Sequence, residues 1–235
     1  EDYSLSEAHV GHVIENVDSN LIKSKKFKVV IDTINGAGYK LGPELLKGLG
    51  CSVDILNGTP DGNFVHMPEP LEENLTGLCE RIKEIGADIG FAQDPDADRL
   101  VLCDENGKFV FEEYMLSLCI KSILEKTPGD IVTNLSTTNT NNDLAESAGY
   151  KNFRSKVGEG NVVNEIIAKG AVIGGEGSGG VIYPKINLCR DSLTGMALIL
   201  EYLARTDKKV SELVAELPKY EFVKTKMPFS GNVID

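Results

Sequence analysis

Short runs rich in β-branched residues alternate with helical patterns along this chain, and that alternation constrains its fold more than any other feature. The predicted strands are 27–31, 52–56, 88–92, 100–103, 130–134 and 171–173. Between them, apolar residues three and four positions apart predict helices, as at Leu71, Leu75, Leu78, Ile82 and Ile85. Strands separated by helices favour a parallel sheet with helices on both faces. The chain is therefore predicted to be an α/β protein.

The same order of elements occurs twice. In each half a helix–strand unit ends in an acidic or glycine-rich loop, at 94–99 and at 174–180. Open α/β sheets bind ligands beyond the carboxyl ends of their strands. The turn dipeptide Asn106-Gly107 separates the halves. We predict two tandem three-layer α/β/α domains with mostly parallel mixed sheets, at 1–108 and 109–220, followed by a segment, 221–235, with a strand over 221–227.

Composition excludes several classes of protein. A net charge of −12 argues against a nucleic-acid binder, which would normally carry a basic face. The sequence has neither a signal-peptide pattern nor an apolar stretch of about 18 residues, so no membrane partner is expected and a cytoplasmic location is predicted. Five scattered cysteines without a C-x-x-C pair predict reduced, mostly buried thiols. Because the chain starts without methionine and enters a helix at once, we expect a piece of a longer protein.

The loop Asp94-Pro95-Asp96-Ala97-Asp98-Arg99 carries three carboxylates at alternate positions. In an extended loop such residues point to the same side, where each close pair repels by roughly 1 kcal/mol in water and about 4 kcal/mol at an intermediate dielectric. A divalent cation such as magnesium or calcium would neutralise them. A solvated turn is one alternative. An EF-hand is another, but it needs glycine where Arg99 stands and helices where strands are predicted.

The glycine-rich loop at 175–180 formally matches G-x-G-x-x-G. A dinucleotide site must open a helix, whereas here the β-like run 181–184 follows and contains a proline. We interpret the segment as an open loop in which Glu176 and Ser178 hydrogen-bond a polyhydroxylated ligand. A plain glycine turn is the alternative.

Two further loops carry polar residues. The first, 154–161, precedes a helical pattern, and its Lys156 and Glu159 could exchange protons if partly buried. The second, 136–139, has hydroxyls at a strand end that could bind a ligand. Both loops could equally serve as helix caps.

Taken together and in order, these pieces resemble the middle of an α-D-phosphohexomutase, the family of phosphoglucomutase, phosphomannomutase and phosphoglucosamine mutase. The matching pieces are VIDTINGAG at 30–38, PDGNF at 60–64 with ENL at 73–75, the aspartate loop 94–99, KVGE at 156–159 and the glycine loop 175–180. The resemblance covers nearly the whole chain. It assigns 1–108 to the second of four domains, 109–220 to the third, and 221–235 to the start of a linker to the fourth.

The resemblance also implies a site and a reaction. Asp94, Asp96 and Asp98 would hold Mg²⁺, and Arg99 would lie beside a phosphoserine outside this chain. The sugar hydroxyls would be held by Glu176, Gly177 and Ser178, and the loop carrying Lys156 and Glu159 would line the active site. The implied activity is interconversion of hexose 1-phosphate and hexose 6-phosphate by Mg²⁺-dependent phosphoryl transfer. The implied partners are a phosphorylated hexose and the flanking domains, without which the chain should be inactive.

Several alternatives stay open. Phosphoglucosamine mutase and phosphomannomutase/phosphoglucomutase are both substrate candidates, and the general acid/base is not assigned. A non-catalytic sugar-phosphate-binding module would carry the same loops. A phosphatase with an Asp-x-Asp nucleophile is disfavoured, because such motifs usually follow the first strand of the domain and this one follows the third predicted strand.

Overall fold

The computed structural model describes residues 4–221, which form two sheets covered by helices. The strands of the first sheet are β1 (Lys28–Asp32), β2 (Ser52–Leu56), β3 (Ile89–Gln93), β4 (Leu100–Cys103) and β5 (Phe109–Val110). The strands of the second are β6 (Ile131–Asn134), β7 (Asn152–Ser155), β8 (Ile173–Glu176) and β9 (Gly180–Ile182). The strand predicted over 221–227 lies outside the described residues, apart from Glu221.

The helices lie between these strands in chain order. They are α1 (Ser4–Glu15), α2 (Ser19–Lys25), α3 (Leu41–Gly48), α4 (Thr76–Ile85), α5 (Glu112–Leu124), α6 (Thr140–Ser147), α7 (Glu159–Lys169), α8 (Ser192–Thr206) and α9 (Val210–Ala215). None of the helices in the described part of the chain is long and apolar enough to cross a membrane.

The first four strands of each sheet are arranged in the same way. The first sheet has the order β2-β1-β3-β4-β5 and the second has β7-β6-β8-β9, so each repeats a second–first–third–fourth arrangement. In each sheet the first three strands are parallel and the strands that follow are antiparallel. The prediction of two α/β/α domains with mixed sheets is confirmed. Strand β5 adds Phe109 and Val110 to the first sheet, two residues beyond the predicted boundary at 108.

Two helical patterns are shorter in the structure than in the sequence. Apolar residues three and four positions apart form one helical face over residues 10–21, but α1 ends at Glu15 and α2 begins where the Asp18 carboxylate accepts the Leu21 N–H at 2.9 Å. The pattern that begins at Leu71 opens with a short 3₁₀ turn over Glu72–Asn74, so α4 begins only at Thr76. Hydrophobic spacing locates both segments, but local capping sets where each helix begins.

Helix α8 joins the two halves into one core. It is buried from Ser192 to Ala204 and packs on α5 of the second half and on α2 and α3 of the first. One hydrophobic cluster includes side chains from both sheets and from α8, among them Phe91, Leu100, Ile173 and Val181. The ends of the two sheets are therefore held close together, which is where the predicted ligand loops lie.

Candidate active site

The aspartate loop connects two antiparallel strands. It leaves β3 after Gln93 and enters β4 at Leu100, and these two residues are paired across the hairpin. The Ala97 N–H donates to the Asp94 carbonyl at 3.0 Å, and Ala97 has a left-handed φ of 62°. With a strand on each side, the loop lacks the flanking helices of an EF-hand.

The three carboxylates of this loop converge. One oxygen from each of Asp94, Asp96 and Asp98 lies within 4.8 Å of the others. Asp94 is buried, Asp96 is exposed and Asp98 lies between these extremes. Asp98 Oδ1 is buried and has no hydrogen-bond partner among the described residues. Burial raises the pKa of Asp98, and the charges of Asp94 and Asp96 raise it further against the opposing effect of Arg190.

Arg99 is held by the same loop. Its Nε donates to Asp94 Oδ2 at 2.6 Å, its backbone N–H donates to Asp94 Oδ1 at 3.1 Å, and its Nη1 reaches Glu69 Oε1 at 2.9 Å. Burial lowers the pKa of Arg99, but the hydrogen bonds that its guanidinium donates to these two carboxylates outweigh burial, and the pKa lies above its ordinary value. The guanidinium is therefore a fixed positive charge beside the carboxylate cluster.

The glycine-rich loop is the corresponding hairpin of the second sheet, between β8 and β9. Its Gly179 has a φ of 99°, and a Cβ added there would lie 2.4 Å from the Leu100 carbonyl oxygen. The Leu100 N–H donates to the Gly179 carbonyl at 3.0 Å. The close approach that glycine permits thus joins the glycine loop directly to the strand that leaves the aspartate loop.

Glu176 is buried at the end of β8, and the protein itself binds its carboxylate. Oε1 accepts the Asn134 side-chain amide at 2.7 Å and the Gly158 N–H at 3.0 Å, and Oε2 accepts Arg190 Nη1 at 2.9 Å. Gly177 is also buried, and its N–H donates to Thr137 Oγ1 at 3.1 Å. Of the three predicted sugar-binding residues, only Ser178 is half-buried rather than buried.

Arg190 contacts the predicted site residues, and the sequence analysis did not predict that it would. Its Nη2 pairs with Asp98 and its Nη1 with Glu176, so it bridges the aspartate loop and the glycine loop. Its Nε lies 3.4 Å from Glu159 Oε2, an ion pair without hydrogen-bond geometry, and its backbone N–H donates to Glu159 Oε1 at 2.9 Å. Burial lowers the pKa of Arg190, but these three carboxylates outweigh it and raise the pKa.

The other predicted site residues differ in how close they lie to the two loops. Glu159 begins α7 and is brought to the loops by Arg190, whereas Lys156 is exposed on the loop that precedes this helix. Of the hydroxyls at 136–139, Thr137 Oγ1 donates to Asn134 Oδ1 at 2.7 Å and accepts the Gly177 N–H. Thr137 thus supports the glycine loop from the end of β6.

The first residue of α8 also supports the aspartate loop. Ser192 Oγ donates to the Ala97 carbonyl and accepts the Gln93 side-chain amide at 2.7 Å. Asp191, which precedes it, caps the helix by accepting the Leu193 N–H at 2.9 Å. The segment 190–192 therefore contacts both loops, although nothing in its local sequence pattern indicates that it does.

Together, the fold and the site define a pair of α/β/α domains with the same arrangement of their first four strands. The acidic hairpin of one domain meets the glycine-rich hairpin of the other. Residues 7–107 match the family model for the phosphoglucomutase/phosphomannomutase alpha/beta/alpha domain II, and residues 112–220 match the model for domain III. The chain belongs to the phosphoglucomutase/phosphomannomutase family.

Relatives and solved structures agree with this assignment. The chain is 43% identical over 226 residues to a phosphoglucomutase/phosphomannomutase of Thermococcus kodakarensis and 38% identical over 233 residues to a probable phosphoglucosamine mutase of Methanosarcina barkeri. These matches cover 95% and 99% of the chain but 50% and 52% of the relatives, so the chain spans about half their length.

Among solved structures, a family protein from Burkholderia thailandensis superposes with a TM-score of 0.81 at 30% identity, covering 93% of this chain and 48% of that one. An N-acetylphosphoglucosamine mutase from Aspergillus fumigatus, solved with GlcNAc-6P and magnesium, superposes with a TM-score of 0.62 at 16% identity, covering 90% of this chain and 48% of that one. At 16% identity, the similarity to the Aspergillus fumigatus enzyme shows a shared fold and no more.

Proposed function

We propose that this chain supplies the metal-binding and sugar-binding domains of a phosphohexomutase that interconverts hexose 1-phosphate and hexose 6-phosphate. The observation that carries the proposal is the meeting of two hairpin loops from separate sheets, joined by the Leu100–Gly179 hydrogen bond and by Arg190. One loop offers clustered carboxylates and the other a glycine-rich backbone, and both lie where α/β sheets bind ligands.

Asp94, Asp96 and Asp98 would hold Mg²⁺. The donor set fits, because all three ligands are hard carboxylate oxygens within 4.8 Å of one another, and the buried Asp98 Oδ1 has no hydrogen-bond partner within residues 4–221. When bound, the ion would supply electrostatic stabilisation of the charge on a transferring phosphoryl group. The Aspergillus fumigatus mutase was solved with magnesium, which supports this choice of ion.

The chain's own residues would position the substrate. Arg99, which Asp94 and Glu69 hold, would orient phosphoryl oxygens by directed hydrogen bonds. Ser178 and the backbone of Gly177 would contact sugar hydroxyls. Glu176 would mainly hold neighbouring protein groups in place, because its carboxylate already accepts hydrogen bonds from three of them.

The two residues of the 156–159 segment would have different roles. Lys156 is exposed, so its ammonium could reach a bound phosphate, whereas the Glu159 carboxylate faces Arg190. The phosphoserine of the reaction would come from a flanking domain. We therefore expect the 235-residue chain alone to bind Mg²⁺ and sugar phosphate without turnover.

The metal assignment can be tested by titrating the chain with MgCl₂ in a calorimeter, together with Asp96→Asn and a matched control, Asp61→Asn. Asp96 is exposed in the cluster, and Asp61 is exposed outside it, so neither change should unfold the protein. We expect Asp96→Asn to weaken Mg²⁺ binding at least tenfold and Asp61→Asn to leave it unchanged. Equal affinity in all three proteins would contradict the metal site.

The reaction itself requires the longer protein. There, Asp96→Asn should lower turnover by orders of magnitude without changing the melting temperature by more than a few degrees. A panel of glucose, mannose and glucosamine phosphates would identify the preferred sugar. Turnover near that of the wild type would contradict the role of the aspartate loop.

A further inference from the structure

Two of the five cysteines lie in contact, outside the site described above. Cys79 on α4 and Cys103 at the end of β4 are 24 residues apart in sequence, yet their Sγ atoms are 3.0 Å apart. A disulfide needs about 2.05 Å, so a shift of roughly 1 Å would join them. We propose that Cys79 and Cys103 form an oxidation site that reacts with hydroperoxides and closes into a disulfide.

The packing of the first domain brings these sulfurs together. Helix α4 covers one face of the first sheet, where Cys103 is buried in a cluster with Leu78 and Val101 and Cys79 packs against it. The turn after β4 touches the same helix, since a Cβ added at Gly107 would lie 2.2 Å from the Cys79 carbonyl oxygen. Both cysteines therefore stand on elements that are already fixed against each other.

The two thiols differ in exposure and in acidity. Cys79 is half-buried, whereas Cys103 is fully buried. The hydrogen bond between the two sulfurs lowers the pKa of Cys79 against the effect of burial, and Lys83 lowers it further. The same contact and burial raise the pKa of Cys103. Cys79 is thus suited to be the attacking thiolate, and Cys103 to be the resolving thiol.

The oxidation balances with hydrogen peroxide as the only co-reactant. The Cys79 thiolate attacks one peroxide oxygen, the O–O bond breaks, and hydroxide leaves and becomes water by taking up a proton. This gives a sulfenic acid on Cys79. The Cys103 sulfur then attacks the Cys79 sulfur, the S–O bond breaks, and the hydroxyl leaves as water with the Cys103 proton. Two thiols and one peroxide give one disulfide and two waters.

The other three cysteines serve as internal controls. Cys51 and Cys119 are in surroundings where burial raises the thiol pKa, to about 12 for Cys51. Burial and nearby carboxylates also raise the pKa of Cys189. All five cysteines lie in the described part of the chain, and Cys79 differs from these three in having a lowered pKa.

The test exposes the reduced 235-residue chain to hydrogen peroxide, stops the reaction with catalase, alkylates the remaining thiols and maps the peptides by mass spectrometry without reduction. Before alkylation, we expect the intact mass to fall by two hydrogen atoms. After alkylation, we expect one cross-linked peptide pair joining residues 79 and 103 and alkyl groups on the other three cysteines. In Cys103→Ser, dimedone should trap a sulfenic acid on Cys79. In Cys79→Ser, Cys103 should stay reduced, and Cys189→Ser should behave as the wild type.

Thermal unfolding gives a second measurement that needs only the wild-type protein. The cross-link restricts the unfolded chain, so the oxidised protein should melt several degrees above the reduced one, and dithiothreitol should reverse the shift. The proposal is overturned if peroxide oxidises methionines or other cysteines while both Cys79 and Cys103 remain open to alkylation. It is also overturned if Cys79 pairs with a different cysteine, or if the cross-link lowers the melting temperature.

Discussion

Replacing Arg190 by methionine tests whether this one side chain holds the aspartate loop and the glycine loop together. Methionine keeps an aliphatic stem, which matters because Arg190 Cδ lies 2.3 Å from where a Cβ on Gly180 would be. The change removes the guanidinium and leaves its three carboxylate partners without their shared positive charge. The backbone N–H that donates to Glu159 remains.

The size of the effect follows from the exposure of each partner. Hydrogen bonds to charged groups contribute about 1.5–3 kcal/mol when buried, whereas exposed ion pairs contribute about 0–1 kcal/mol. The Glu176 side chain is 8% exposed and belongs to the first class, but those of Asp98 and Glu159 are 22% and 33% exposed and must be discounted. Glu176 also keeps two other donors. We expect Arg190→Met to lower the free energy of unfolding by about 2–3 kcal/mol.

The matched control is Arg205→Met, in the last turn of α8, the helix that begins two residues after Arg190. Arg205 pairs with Glu125 at 2.9 Å, and the two side chains are 30% and 38% exposed. Its Nη2 also donates to the Ser122 carbonyl at 3.2 Å, and its guanidinium lies 5.1 Å from the centre of the Tyr202 ring. Because the Arg205 side chain is partly exposed, its loss should cost about 1 kcal/mol, less than that of Arg190. Urea unfolding of wild type and both variants, followed by circular dichroism, gives the free energies directly.

Magnesium separates the electrostatic effect from simple loss of packing. A cation bound to the native aspartate loop stabilises the folded state by mass action, and in Arg190→Met it no longer competes with a guanidinium at Asp98. We therefore expect MgCl₂ to raise the stability of Arg190→Met more than that of wild type or Arg205→Met. Equal losses for the two variants, or a loss that magnesium does not reduce, would refute this reasoning.

Three further changes should have effects that the structure explains. Gly179→Ala should destabilise the chain by about 2–3 kcal/mol in urea unfolding, because the new Cβ meets the Leu100 carbonyl at a positive φ; an unchanged midpoint would contradict the close approach. His9→Gln should reduce stability most between pH 3.8 and 6.5, the ordinary pKa values of Asp191 and His9. The hydrogen bond to Asp191 raises the pKa of His9, so the stability that protonated His9 contributes is lost as pH rises through the raised pKa. Burial raises the pKa of Asp191, but the hydrogen bond from His9 helps to bring it below its ordinary value, so the stability that ionised Asp191 contributes is lost as pH falls. A stability difference that does not change with pH would contradict the ion pair. Asp96→Asn, besides weakening Mg²⁺ binding, should raise stability without metal by about 0.5–1 kcal/mol in urea unfolding, since it removes a like charge from the cluster; a loss of stability would contradict that repulsion.

The sequence predicts the parts of this fold that local periodicity determines. Strand β2 is found over the predicted residues 52–56, and the loops that follow β3 and β8 fall at equivalent ends of two sheets whose first four strands have the same arrangement. The residues at which helices begin are harder to predict from periodicity, because a single N-cap such as Asp18 can start a new helix within a continuous apolar face. The binding roles assigned to the loop residues stay predictions.

Arg190 and the Cys79–Cys103 pair were missed for a common reason. The carboxylates that Arg190 contacts lie 14, 31 and 92 residues earlier in the chain, and the cysteines are 24 residues apart. No local pattern encodes such contacts, because they depend on how α8 packs between the halves and α4 packs on its sheet. From the sequence, Glu176 was predicted to bind a ligand through its carboxylate, whereas in the fold that carboxylate accepts hydrogen bonds from three protein donors.

Because one guanidinium is shared between Asp98 and Glu176, we expect the binding sites proposed at the aspartate loop and the glycine loop to be coupled rather than independent. Any cation that draws Asp98 away from Arg190 changes the charge facing Glu176, and any ligand that moves Glu176 changes the charge facing Asp98. Coupling between two binding events is reciprocal: a change in sugar-phosphate affinity caused by metal must equal the change in metal affinity caused by sugar phosphate. The carbonyl of Gly179, bonded to the N–H of Leu100, adds a backbone link between the same two loops. The binding chemistry proposed for the family fold is thus tied, in this chain, to an ion-pair bridge between its two domains.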